Sequence, residues 1–98
     1  MAIQKLDTAA IEKAVSGIPG WGVKNGKLHK DYVFPDFSHA VGFMTMAAVR
    51  IEKIDHHPEW CNVYNKVSVD LSTHDAGGIT QRDVDLARLL DELAGKLK

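Results

Sequence analysis

The chain has 98 residues, 45% of them hydrophobic and 26% charged, with 12 basic against 13 acidic side chains and a net charge of -1. That length and balance predict one small domain spanning residues 1–98, of ordinary soluble composition and with no electrostatic drive toward nucleic acid or an anionic membrane. A single cysteine, Cys61, excludes an intrachain disulfide and a multi-cysteine zinc site.

Met1 to Leu6 reads as a loose lead-in without the charged-then-apolar pattern of a signal peptide, and no apolar run approaches the ~20 residues that span a bilayer, so a cytoplasmic location is expected. Asp7 is placed to cap a first helix through the N–H of Ala9 or Ala10. Ala10, Ile11, Ala14 and Val15 repeat at helical spacing and Gly17 closes it. Trp21 to Lys24, Asn25-Gly26 and Lys27 to Phe34 read as a hairpin, Asn-Gly suiting the two positive-φ positions of a type I′ turn. Leu28, Lys30 and Tyr32 share one face of the second strand and His29, Asp31 and Val33 the other; the pattern leaves open which face is buried.

Asp36 or Ser38 caps the longest element, a helix running to about Ile54. Phe37, Ala40, Val41, Met44, Ala47, Ala48, Ile51 and Ile54 form its apolar stripe, while Phe43, Met46 and Val49 lie off it, a second apolar face that suggests self-association. Pro58 is expected to stop this helix and hold His57 extended. Glu59 to Tyr64 and Lys66 to Leu71 read as two further strands, Val67, Val69 and Leu71 alternating with polar neighbours. Asp75-Ala76-Gly77-Gly78 reads as a flexible loop, and a last helix from Thr80 turns Leu86, Ala87, Leu90, Leu93, Ala94 and Leu97 inward. The order α-β-β-α-β-β-α predicts an α+β fold, a four-stranded antiparallel sheet with three helices packed on one face.

Chemistry concentrates at the corner Glu52-Lys53-Ile54-Asp55-His56-His57-Pro58. Histidine exchanges protons near neutral pH without a large perturbation. A third histidine, His74, follows the last strand in Ser72-Thr73-His74-Asp75, and we expect His56, His57 and His74 to converge on one cleft. His29 and His39 are isolated and read as surface or packing residues. A helix C-terminus also favours imidazolium, which offers a purely structural account of the pair. Three histidines with Asp55 or Asp75 could in principle hold zinc, but adjacent side chains rarely ligate one ion and the familiar zinc spacings are absent, so no metal is expected. Glu52 stands one turn before His56 and could pair with it. Asp83 has capping-box spacing from Thr80, a role compatible with orienting a ligand or a histidine. Trp60 reads as core or rim and stands close enough to the corner to wall a flat ligand.

Glu52, three residues, His56-His57-Pro58, five residues, Tyr64, nine residues, His74, eight residues, Asp83 resembles the signature of the pterin-4a-carbinolamine dehydratases. Asn62-Val63-Tyr64-Asn65 and Ser72-Thr73-His74-Asp75 are similar to runs of that family, and the likeness reaches from the first helix through Pro19-Gly20-Trp21 and Asp36-Phe37 to the last helix. The resemblance implies dehydration of 4a-hydroxytetrahydrobiopterin, or a related 4a-hydroxytetrahydropterin, to the quinonoid dihydropterin, with no metal or organic cofactor. It implies that His56, His57 and His74 are the acid/base group, that Asp55, Ser72, Thr73 and Asp75 line the pterin, and that Glu52 and Asp83 orient the histidines or the ligand. It further implies a homodimer or homotetramer through the long helix, no direct nucleic-acid contact, and a transcription-factor partner and nuclear location only in an animal protein.

Overall fold

In the computed structural model, which describes residues 3–97, the element order is the expected one. Met1 and Ala2, part of the expected lead-in, lie outside the described residues. Asp7 caps α1 (Thr8–Ser16) by accepting the Ala10 N–H at 2.8 Å. The lead-in is less loose than expected at its end, because the Leu6 N–H donates to Ile79 O at 2.8 Å. Ile11, Ala14 and Val15 of α1 pack against the edge of the core.

Four strands follow in two hairpins: β1 (Gly22–Lys24) with β2 (Lys27–Val33), and β3 (Glu59–Val63) with β4 (Lys66–Leu71). Asn25 and Gly26 take φ of 53° and 76°, as the expected turn requires. Tyr64, read from sequence as strand, instead turns the second hairpin with φ of 50°. The sheet order is β1-β2-β4-β3, antiparallel throughout, so the central pair β2–β4 joins the hairpins with Leu28 opposite Leu71 and Tyr32 opposite Val67. Leu28, Tyr32, Val67, Val69 and Leu71 are buried under the helices. His29, Asp31, Ser68, Asp70 and Cys61 belong to the other, open face, where Cys61 is exposed.

The central helix α2 (Phe37–Ile54) is capped by Asp36, whose Oδ1 accepts the His39 N–H at 2.8 Å. Its buried stripe differs from the expected one. Ala40, Phe43, Ala47 and Ile51 face inward, while Phe37, Val41, Ala48 and Ile54 are exposed. Both stripes have helical spacing, so periodicity alone could not choose between them. The choice is made by Phe43, whose ring lies 5.0 Å from Tyr32, 5.1 Å from Phe34 and 6.5 Å from Trp60. Truncating so buried an aromatic would cost about 3–5 kcal/mol.

The last helix, α3 (Gln81–Gly95), buries Asp83, Val84, Leu86, Ala87, Leu90, Leu93 and Ala94. Its N-terminus is a complete capping box: Thr80 Oγ1 accepts a backbone N–H of the first turn, and the Asp83 carboxylate accepts the Thr80 N–H at 2.8 Å. The segment before it is not the open loop expected. His74–Ala76 form a 3₁₀ turn, and Thr73 and Gly78 close on each other through a backbone bridge of 2.8 Å from Thr73 N to Gly78 O. Residues 72–75 are thereby held against the start of α3.

Candidate active site

At the end of α2 the chain turns at Asp55, which takes a left-handed conformation (φ 52°, ψ 44°) and donates its N–H to Ile51 O at 2.9 Å. For a residue with a Cβ this costs on the order of 1 kcal/mol. The helix therefore ends at Ile54, earlier than Pro58 alone requires. The turn parts the two neighbouring imidazoles: His56 is 9% exposed and faces α3, whereas the His57 side chain is 54% exposed.

This parting changes the partner expected for Glu52. Its Oε1 lies 2.9 Å from His57 Nε2, not against His56. His56 Nε2 instead donates to Asp83 Oδ1 at 2.6 Å. Asp83 is fully buried, and its other oxygen accepts from Thr73 Oγ1 at 2.9 Å and from the Thr80 N–H. Because the Thr73 hydrogen is given to Asp83, the 2.6 Å contact between the two threonine hydroxyls is donated by Thr80. A buried carboxylate is tolerable only when its lone pairs are filled by donors in good geometry. Here three donors fill them and fix the plane of the imidazole. With Nε2 committed, Nδ1 is the His56 atom left to meet a ligand.

A hollow of about 200 Å³ is lined by Asp55, His56, His57, Ser72, Thr73, His74, Asp75 and Arg82. The adjacent His56 and His57 and the distant His74 thus share one wall, together with the four residues expected to line a ligand. Asp83 stands behind His56, and Glu52 braces His57 from outside. Trp60 is the exception. It pairs with Val69 on the helix-facing side of the sheet, meets Phe43, and is absent from this wall.

Three adjoining hollows extend the site, the smallest, about 240 Å³, lined by Asn25, Gly26, Lys27, Ser72, Thr73, His74, Gly77 and Gly78. On the sheet side, about 460 Å³ is lined by Lys27, His57, Glu59, Asp70, Ser72 and His74. On the helix side, about 370 Å³ is lined by Arg50, Ile54, His56, Arg82, Asp85, Leu86 and Leu89. Sequence reasoning missed Arg82 and Lys27; Arg82's place directly before Asp83 was the one available signal. Lys27 pairs with Glu59, whose carboxylate holds the ammonium above the ordinary lysine value. Among the described residues no three His, Cys, Asp or Glu side chains are placed to hold a metal ion, and no helix is long and apolar enough to cross a membrane.

Comparison with known proteins matches residues 4–93 to the family described as Pterin 4 alpha carbinolamine dehydratase. A protein of Solibacter usitatus, provisionally named a pterin-4-alpha-carbinolamine dehydratase, is 56% identical over 90 residues, covering 92% of this chain and 95% of its own. One of the same provisional name from Bradyrhizobium diazoefficiens is 52% identical, with 93% of each chain covered. The crystal structure of a Brucella melitensis protein described as a transcriptional coactivator/pterin dehydratase superposes with a TM-score of 0.90 at 40% identity. The match covers 94% of this chain and 100% of that one.

Proposed function

This chain belongs to the pterin-4a-carbinolamine dehydratase family, hydro-lyases that remove water from a pterin carbinolamine, and from that membership we propose that its substrate is 4a-hydroxytetrahydrobiopterin or a related 4a-hydroxytetrahydropterin. His56, His57 and His74 carry the protons, and the product is the quinonoid dihydropterin of tetrahydrobiopterin recycling. The observation that carries this reading is the shared wall: three imidazoles from two distant segments line one hollow, one of them clamped by a buried carboxylate.

The chemistry asks for two proton transfers. The C4a–O bond breaks with its electron pair going to oxygen, which takes a proton from an imidazolium and leaves as water. The N5–H bond gives its proton to a neutral imidazole, and its electrons close the C4a=N5 double bond. General acid and general base catalysis each contribute about 10²–10⁴-fold. No metal or organic cofactor enters these steps. Asp55, Ser72, Thr73 and Asp75 offer polar groups around the ring, and Glu52 and Asp83 position His57 and His56.

The direct test is turnover of a chemically generated 4a-hydroxytetrahydropterin by the wild type, His56→Ala and His74→Ala. Loss of about 10²-fold or more in each variant, with circular dichroism and sedimentation unchanged, supports the reading. Full-rate turnover by either variant removes that histidine from the mechanism.

The exposed apolar face of α2, Phe37, Val41 and Val49, favours assembly into a homodimer or homotetramer through this helix. Sedimentation of Val49→Asp as a monomer beside an associated wild type supports that; a monomeric wild type refutes it. A protein partner of the transcription-factor kind is a separate property, raised by the description of the Brucella protein.

A further inference from the structure

Pockets that enclose small molecules usually measure about 300 Å³ or more. The central hollow, at about 200 Å³, is smaller, so a substituted pterin that seats its ring among the histidines must extend into one of the flanking hollows. The chemistry says where the extension starts. N5 is bonded to both C4a and C6, so with N5 and C4a at the imidazoles an arm on C6 leaves the ring beside those same side chains.

The flanks differ in charge, the smallest of them sharing its one cation, Lys27, with the sheet side. On the sheet side a single cation, Lys27, faces Glu59 and Asp70 and is already paired with Glu59. On the helix side two cations, Arg50 and Arg82, face one carboxylate, Asp85, whose Oδ1 accepts from Gln81 Nε2 at 2.9 Å. Among the described residues neither guanidinium has a carboxylate within 4.0 Å or a side-chain hydrogen bond. Leu86, Leu89 and Ile54 supply an apolar floor, and His56 and Arg82 line both this hollow and the central one.

The geometry points to a subsite between α2 and α3 that takes an anionic group, phosphate or carboxylate, at the end of the pterin's C6 arm. This rests on the dehydratase reading and narrows its substrate class. The arm's carbons lie along Leu86 and Leu89, and the anion meets the forked donors of Arg50 and Arg82, which suit both oxyanions.

The test compares three chemically generated 4a-hydroxytetrahydropterins whose C6 arms end in a hydroxyl, a carboxylate or a phosphate. Values of kcat/KM are taken for the wild type, Arg50→Ala and Arg50→Lys. Arg50 is exposed on a helix, so alanine threatens neither cap nor core. We expect the preference for an anionic arm over the hydroxyl arm to fall about tenfold in Arg50→Ala, to recover only in part in Arg50→Lys, which keeps the charge but not the fork, and to shrink with added salt. Whether phosphate or carboxylate shows the larger preference identifies the group. A wild type without preference, or a preference that Arg50→Ala leaves intact, overturns the subsite while the dehydratase activity stands. Affinities for stable 7,8-dihydropterins bearing the same arms are measured alongside. If no arm supports turnover the dehydratase reading fails, and the binding ratio still decides the subsite.

Discussion

Asp83 and Asp91 sit about two turns apart on α3, and each gathers three donors. Asp83 holds the His56 imidazole, the Thr73 hydroxyl and the Thr80 N–H. Asp91 holds the Trp21 indole N–H at 3.1 Å, the Lys30 ammonium at 2.9 Å and the Tyr32 hydroxyl. As devices they are alike, a carboxylate on the helix tying it to the sheet. They differ in what they anchor. The donors on Asp91 are an indole, an ammonium and a phenol, none a side-chain type that exchanges protons near neutrality, and burial pushes the Tyr32 hydroxyl well above the usual tyrosine value, with Asp91 adding to the rise. Asp83 anchors an imidazole, the side-chain type that exchanges protons near neutrality, beside an open hollow. A carboxylate on α3 thus serves structure in both places, fully buried at Asp83 and partly exposed at Asp91, and the proposed chemistry falls only where its partner can titrate.

Asp83→Ala should give the largest effect. It strands His56 and Thr73 and removes half of the capping box, for a loss of about 3–5 kcal/mol in urea unfolding. Turnover should fall about 10²-fold or more even where the variant is folded, because His56 loses its orientation. A folded Asp83→Ala that still dehydrates at full rate would break the contrast. Asp91→Ala is its counterpart. Losing three donors on a partly exposed carboxylate should cost about 2–4 kcal/mol, with kcat changed by no more than about twofold, since the cluster shares no partner with the cleft. A large drop in kcat at unchanged stability would place Asp91 in the site after all.

The contrast also shows what the residues disclose before they are folded. Caps at Asp7, Asp36 and Thr80–Asp83, and the Asn25-Gly26 turn, are local patterns within four residues, and they read correctly. The spacing of the seven motif residues from Glu52 to Asp83 pointed to the family directly. The Asp91 cluster joins residues 21, 30, 32 and 91, and no local pattern announces it. On α2 the sequence offered two periodic stripes and the one centred on Phe37, Val41 and Ile54 was the wrong choice, because Phe43, read as off the stripe, packs on Tyr32 and Phe34. The exchange of partners, His56 to Asp83 and His57 to Glu52, depends on the left-handed turn at Asp55, which propensity does not foretell.

Tyr32→Phe sharpens the structural half. It keeps the ring contacts with Phe34 and Phe43 and removes one hydroxyl, so about 1 kcal/mol should be lost at neutral pH. Its pH dependence carries more information. The hydroxyl is held above its unfolded value of about 10, so its contribution is full below that pH. It then falls by about 1.4 kcal/mol per unit as pH rises further, because the unfolded chain ionises first. Urea midpoints between pH 9 and 11 should therefore slope more steeply for the wild type than for Tyr32→Phe; parallel slopes would mean the hydroxyl is free in solution.

The smallest effect is expected at Glu52, and it bears on why one imidazole is buried and its neighbour is not. Glu52 and His57 meet at 2.9 Å with side chains 79% and 54% exposed. An exposed pair of this kind contributes about 0–1 kcal/mol, less at physiological salt, so Glu52→Gln should leave the unfolding curve almost unmoved. Gln keeps an acceptor for His57 but not the charge. If Glu52 only steadies a ring that water already solvates, kcat should fall a few-fold, roughly one to two powers of ten less than in Asp83→Asn. There His56 has no solvent to substitute for the lost carboxylate. Should Glu52→Gln cost as much turnover as Asp83→Asn, burial would not be what makes a carboxylate effective toward its imidazole, and charge alone would have to explain both.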